Sequence, residues 1–311
     1  MAASPSSVDY IPKSVLVAYD FGETSQKPLQ HGLAIARHFG AKLHVVHVVS
    51  SVGYRIAGAE TLHMATDRTQ NEMLALQQSL EKGGALKGLT HEFTVLEGDV
   101  WPRLEQLLRE KQVGMVVTGT HGRGGLGKLL LGSVAEQIFR QAQCPVVTVG
   151  PGSQAESLVE GNHPVRPFLF ATDFGQASLC ALPYAATFAQ HFRAKLIVLQ
   201  VLPAAPIPEG FHWSKTGDLL EMREASKKAS LEQFEKLVRP HLTPETDATF
   251  EVKFGTPGEQ ILLAAHEFNA DLIVLGLNRW AHGGAASHSP WATAYKIVGT
   301  AHSPVLKIRN C

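Results

Sequence analysis

Short apolar runs rich in β-branched residues alternate with stretches of helical period along the whole chain. In the first half the apolar runs fall at residues 14–19, 43–49, 91–96, 114–118 and 146–149. Helical-period stretches lie between them, near residues 28–38, 60–81, 102–111 and 133–141. The second half repeats the alternation, with apolar runs near 168–172, 196–201, 249–254, 272–275 and 305–308. Continuous apolar strands separated by helices predict a parallel sheet covered on both faces. Right-handed crossovers then make each half a doubly wound α/β domain.

The two halves are copies of one another. Asp20-Phe21-Gly22-Glu23-Thr24-Ser25 returns as Asp173-Phe174-Gly175-Gln176-Ala177-Ser178, and Ala36-Arg37-His38-Phe39-Gly40-Ala41-Lys42-Leu43 as Ala189-Gln190-His191-Phe192-Arg193-Ala194-Lys195-Leu196. Cys144-Pro145-Val146 parallels Ser303-Pro304-Val305. A period of about 155 residues marks a whole-domain duplication, since solenoid units are only about 20–50 residues long. Gly, Pro, Ser and Asn crowd the stretch after Gly150, which reads as a linker over 151–165 between domains at 1–150 and 166–311. The irregular stretches after the second strand of each half, residues 50–59 and 203–213, are placed to act as lids or as ordinary surface loops.

Composition narrows the class further. Hydrophobic residues make up 44% and charged residues 18%, as in a soluble globular protein with an ample core. Lys+Arg and Asp+Glu both number 28, so charge points to neither nucleic acid nor an anionic membrane surface. The N-terminus lacks a basic stretch followed by an apolar one, and no apolar run is long enough to span a bilayer, which favours a cytoplasmic location. Cys144, Cys180 and Cys311 are widely spaced and form no CxxC pair, so they read as incidental thiols.

The chemistry concentrates in the run Gly119-Thr120-His121-Gly122, nine further residues, then Gly132-Ser133. It follows an apolar strand and opens a helix. Glycines at a strand end let backbone N–H groups approach a phosphate closely, and a helix N-terminus adds unpaired donors and positive partial charge. The competing account is a glycine loop without a ligand. A dinucleotide fingerprint over Gly122, Gly124 and Gly127 lies outside a first βαβ unit, and a Walker A loop fails because Leu129 stands where Ser or Thr is required. Asp20 is either a site residue or the cap of its own turn, and Ser133 either meets phosphate or caps its helix. Arg123 and Lys128 either screen phosphate charge or are solvated, and His121 is ambiguous in the same way.

The first-strand Asp20, the LHVVHV second strand and Gly119-x2-Gly122-x9-Gly132-Ser133 together resemble the universal stress protein family in its tandem form. The likeness covers both halves. It implies a Rossmann-like or flavodoxin-like five-stranded parallel sheet of order 3-2-1-4-5 in each, and ATP in the first. It further implies adenine against the backbone of Val48, ribose at Asp20 and Gly119, and phosphates at Gly122, Gly132, Ser133 and Val134, with Mg²⁺ bridging phosphate oxygens. Asp20, Val48 and Gly119 end predicted strands one, two and four, beside the switch point where a crevice must open.

The second half departs from the pattern. Arg279 replaces the second glycine, and Trp291-Ala292 stands where Gly132-Ser133 would be, so this half reads as degenerate for ATP. His282 and His288, six apart with no third ligand, make a weak metal candidate. No GxSxG elbow or HExxH helix occurs, and no motif places a base for phosphoryl transfer, which disfavours a dedicated enzyme. The expected function is therefore an ATP-binding stress-response regulator acting on a protein partner. A nucleotide-free tandem scaffold and a slow ATPase are the rivals. The fifth strands of the two halves, each a sheet edge, are expected to pair antiparallel as an internal pseudo-dimer, with a homodimer as a further step.

Overall fold

The computed structural model describes residues 10–54, 58–120, 131–153, 167–204, 216–278 and 290–309. The chain divides into two compact units, Met1–His163 with Val298–Lys307, and Pro164–Ile297 with Ile308–Cys311.

In the first unit, β1 (Ser14–Ala18), β2 (Lys42–Ser50), β3 (His91–Gly98), β4 (Met115–Gly119) and β5 (Val146–Val149) form a parallel sheet of order β3-β2-β1-β4-β5. This is the predicted order 3-2-1-4-5. The crossovers are α1 (Gln26–Phe39), α2 (Ala59–Lys82), α3 (Val100–Glu110) and α4 (Ser133–Gln141). One apolar layer lies between the sheet and α3 and α4, with Leu16, Val46, Val116 and Val146 meeting Trp101, Leu104 and Ile138. α1 ends at Gly40, whose φ of 63° lets its N–H reach the Ala36 and Arg37 carbonyls. The second repeat makes the same turn with Arg193 at φ 52°, without glycine's freedom.

The second unit carries β6 (Phe168–Thr172), β7 (Leu196–Leu202), β8 (Ala248–Phe254) and β9 (Leu272–Leu277), all parallel in the order β9-β6-β7-β8. Its helices include α5 (Gln176–Phe192), α6 (Thr216–Leu237), α7 (Pro257–Glu267) and α8 (Pro290–Thr300). The last strand, β10 (Val305–Arg309), is divided: Val305–Lys307 group with the first unit and Ile308–Arg309 with the second. There β10 runs antiparallel to β5 in the register Val305↔Thr148, Leu306↔Val147 and Lys307↔Val146. The expected antiparallel pairing of the two last strands is present.

Cys180 on α5 is disulfide-bonded, which corrects the expectation that all three cysteines are incidental thiols. Cys144 is free, and burial pushes its thiol up to about 11, away from reactivity. Among the described residues no helix is long and apolar enough to cross a membrane.

Acid is expected to weaken this fold in two windows. His31 on α1 is fully buried, and neither ring nitrogen has a hydrogen-bond partner among the described residues. Burial, and then the charge of Lys27, lowers its pKa from 6.5 to about 4. A folded value below the unfolded one means that stability is complete above pH 6.5 and is lost as pH falls towards 4, by about 3 kcal/mol. Glu92 acts lower: its hydrogen bond to Lys42, and then that to Lys111, hold the carboxyl at about 2 rather than 4.5. Its share is lost between those two values. Urea unfolding should therefore show falling stability from pH 7 to pH 4. His31→Leu should flatten that slope and raise stability at pH 7 by about 1 kcal/mol, because an unpaired buried polar group is removed. An unchanged slope in the variant would mean that other groups set the upper window.

Candidate functional site

β1 ends at Ala18 while β2 continues to Ser50, so four residues of β2 run on past the last β1 register pair, Ala18↔Val46. Tyr19 N–H still bonds the Val46 carbonyl at 2.9 Å, after which the chain turns away. Backbone groups of residues two apart on a strand point the same way. The N–H and C=O of Val48 thus face the space beyond the end of β1. Its side chain packs on the rim of the α3/α4 core layer, as does that of Val134 in the first turn of α4. The end of β2 and the start of α4 therefore lie on one face of the sheet.

Asp20 makes the turn that leaves β1. Its Oδ1 accepts from Gly22 N–H at 2.8 Å and from the Ser25 hydroxyl, while Ser25 Oγ accepts from Asp20 N–H at 3.2 Å. These bonds hold Phe21 at φ 60°, a conformation unusual for a bulky residue. The turn role of Asp20 is thus real, and it engages one carboxylate oxygen. Tyr19, Phe21 and His47 stack edge-on around the turn, with ring centroids 5.0 and 5.2 Å apart, and His47 Nδ1 donates to the Tyr19 carbonyl at 2.7 Å. Sequence reasoning overlooked Ser25, Phe21 and His47. The signal for Ser25 was available, since Ser178 makes the same bond to Asp173 in the second repeat, at 2.7 Å.

Gly119 is the last residue of β4, in register with Val149. Gly132 N–H bonds the Thr120 carbonyl at 2.8 Å, which brings the two ends of the glycine-rich segment together. His121, Gly122 and Arg123 lie outside the described residues, as does Lys128. Gly132 is the N-cap of α4, with φ −57° and ψ 146° and no side-chain capping bond. Ser133 is the first helical residue, so it does not cap its own helix. Among the described residues no side chain caps the first N–H groups of α4, which a helix cannot satisfy itself. Asp20, Val48, Gly119, Gly132, Ser133 and Val134 all fall at carboxyl ends of strands or at the start of α4, whereas the Lys42–Glu92–Lys111 cluster lies at the start of β2 and of β3.

In the second unit Asp173 forms the same turn, accepting from Gly175 N–H at 2.8 Å with Phe174 at φ 57°. Asp173, Ser178, Val201, Gly276, Pro290 and Thr293 are among the residues lining a cavity of about 210 Å³. A methyl at Gly276 would collide with the Ala177 carbonyl, so the first turn of α5 packs directly on the end of β9. Here the helix that parallels α4 starts earlier in the repeat, at Pro290, and Trp291 is buried with its ring 6.1 Å from that of Tyr295. Pro290 has no N–H to offer. Arg279, His282 and His288 lie outside the described residues.

Comparison with known proteins agrees with this architecture. A universal stress protein of Mycolicibacterium smegmatis is 26% identical over 304 residues, spanning 95% of this chain and 96% of its own length. A universal stress protein of Methanocaldococcus jannaschii is 27% identical over 138 residues, 44% of this chain and 81% of that protein. Among solved structures, a universal stress protein of Archaeoglobus fulgidus superposes with a TM-score of 0.64 at 19% identity, covering 96% of this chain and 98% of that one. A putative universal stress protein of Pseudomonas aeruginosa gives 0.59 at 17% identity, covering 97% and 95%. At these identities the structural matches speak for the fold alone. The sequence model of the universal stress protein family matches twice, over residues 12–150 and 164–309, so the chain belongs to the universal stress protein family and carries two of its domains in tandem.

Proposed function

We propose that the chain is an ATP-binding regulatory protein whose nucleotide is held in the first repeat and biases its interaction with a protein partner. The observation that carries this reading is the start of α4, an N-terminus without a side-chain cap, set on the same sheet face as the outrunning end of β2. The exposed backbone pair of Val48 suits the edge of adenine. The ribose would meet the second oxygen of Asp20 and the backbone of Gly119. Ser133 and Val134 would offer N–H groups and the positive helix end to phosphate, beside Gly132, whose own N–H is held by the Thr120 carbonyl and which adds no side chain there, with Gly122, His121 and Arg123 as the proposed remainder of the site. Mg²⁺ would be held through phosphate oxygens, as the resemblance to the family implies.

The second repeat is proposed not to take a triphosphate, since Pro290 removes a donor from its helix start and Trp291 replaces the small residue there. Regulation requires that ATP bind the partner-competent and partner-incompetent states with different affinity. A location in the cytoplasm, a slow hydrolysis and a homodimer are compatible with this reading and add nothing to its support.

Nucleotide released from the purified, denatured full chain should be ATP or its hydrolysis product by mass spectrometry. Calorimetry of the nucleotide-free protein with MgATP should give one site per chain. No released nucleotide and no heat of binding would leave the nucleotide-free scaffold as the function. Two sites per chain would overturn the assignment of the second repeat.

A further inference from the structure

We infer that Lys307, which belongs by sequence to the second repeat, is a positioning residue for the phosphate end of the first-repeat site. The inference rests on the reading that ATP phosphates sit at the start of α4. Lys307 is fully buried, yet its Nζ donates to the carbonyls of Phe139 and Ala142, both at 3.1 Å. The same nitrogen lies 5.7 Å from the centroid of the Phe139 ring. These carbonyls belong to the last turn and C-cap of α4, where a helix runs out of its own donors and carries partial negative charge. A charge buried this deeply needs such partners. Lys307 thus holds α4 by the end opposite the proposed phosphates.

The strand that carries it is fixed in place. Lys307 is in register with Val146, and the Thr148 hydroxyl bonds the Val305 carbonyl at 3.2 Å. Thr148 is the residue that corresponds to Lys307 in the first repeat, and its short side chain ends at that strand contact. Of these two equivalent strand positions, only the one in β10 supplies a cation, and it supplies it to the helix whose N-terminus reads as a phosphate site.

α4 has nine residues and is about 13 Å long. Across that distance one charge attracts each charge of a triphosphate weakly, but the contributions add. Without Lys307 two buried carbonyls also lose their donor, and the helix end becomes free to shift. Its N–H groups would then lose their aim at the phosphates. Adenine and ribose, read from β1, β2 and β4, would be unaffected.

The test is calorimetry of the full chain with MgATP and with adenosine, probes that share base and ribose but differ in phosphate. Lys307→Met should bind ATP about three- to tenfold more weakly and adenosine as before, while Lys307→Arg, which keeps charge and donors, should retain ATP. Unchanged ATP affinity in Lys307→Met overturns the inference, and so does an equal loss for ATP and adenosine, which a purely structural role would produce. Should Lys307→Met fail to fold, Lys307→Gln keeps an N–H donor without the charge and carries the same expectation. If the unaltered chain takes up no ATP, the nucleotide reading falls and this inference with it. If it takes up ATP and the folded variants do so equally well, this inference falls alone.

Discussion

Gly132→Trp is expected to abolish ATP binding by the full chain while leaving its helix content and unfolding transition close to those of the unaltered protein. The substitution copies into the first repeat the residue that the second repeat carries at Trp291. Gly132 has φ −57° and ψ 146°, values open to every residue, so the backbone does not require glycine there. Its N–H bond to Thr120 and its carbonyl bond from Glu136, both 2.8 Å, involve only main chain and survive the change. What changes is the space beside the first turn of α4. An indole there would cover the N–H groups of Ser133 and Val134. A hydrogen bond to a charged group contributes about 1.5–3 kcal/mol, so one lost bond weakens ATP about tenfold or more and two weaken it about a hundredfold or more. Calorimetry reads this directly, and circular dichroism checks the fold. Unchanged affinity in a folded variant would place the phosphates elsewhere.

The layout of the fold was legible because its signals are local and repeated. Runs such as residues 14–19 and 146–149 are too apolar and too short for anything but buried strands, and the second copy confirmed each one. Their bounds differ from β1 and β5 by at most one residue. Asp20, Val48 and Gly119 were singled out by the family resemblance, and their place near the carboxyl ends of strands was legible because strand runs are a local signal. The contributions that escaped notice come from pairings distant in sequence. Nothing in the run Val305-Leu306-Lys307 says that its lysine is buried, since a polar residue amid an apolar strand ordinarily marks an exposed edge. It is buried because β10 is registered against β5, which places the side chain under α4. His31 escaped for a similar reason: on α1 it looks like any polar helix position, and only packing shows that it lies at full burial. Ser25 looked like ordinary turn composition, although its return as Ser178 in the second repeat was a signal for it.

Val147→Lys and Leu306→Lys are expected to cost more stability than any other change considered, and more together than apart. Both side chains are fully buried, and they are direct register partners across the antiparallel β5–β10 pair. Each substitution removes an apolar side chain from the core, worth about 1.5–3 kcal/mol. Each also places an ammonium at a fully buried position. Leaving such a charge uncompensated costs about 3–5 kcal/mol, a large fraction of the roughly 5–15 kcal/mol that holds a domain folded. In the double variant two like charges face each other at one register position, so the costs exceed their sum. Lys307 sits one residue beyond Leu306, and a β10 forced off β5 would take its contacts to Phe139 and Ala142 with it. Denaturant unfolding should show the midpoint lowered by each single change, and a larger loss in the pair than the singles add up to. ATP affinity should fall in parallel, because α4 would be released at its C-terminal end. Single variants with wild-type midpoints would show that β10 contributes little to the first unit, and would remove the structural ground for assigning Lys307 a role there.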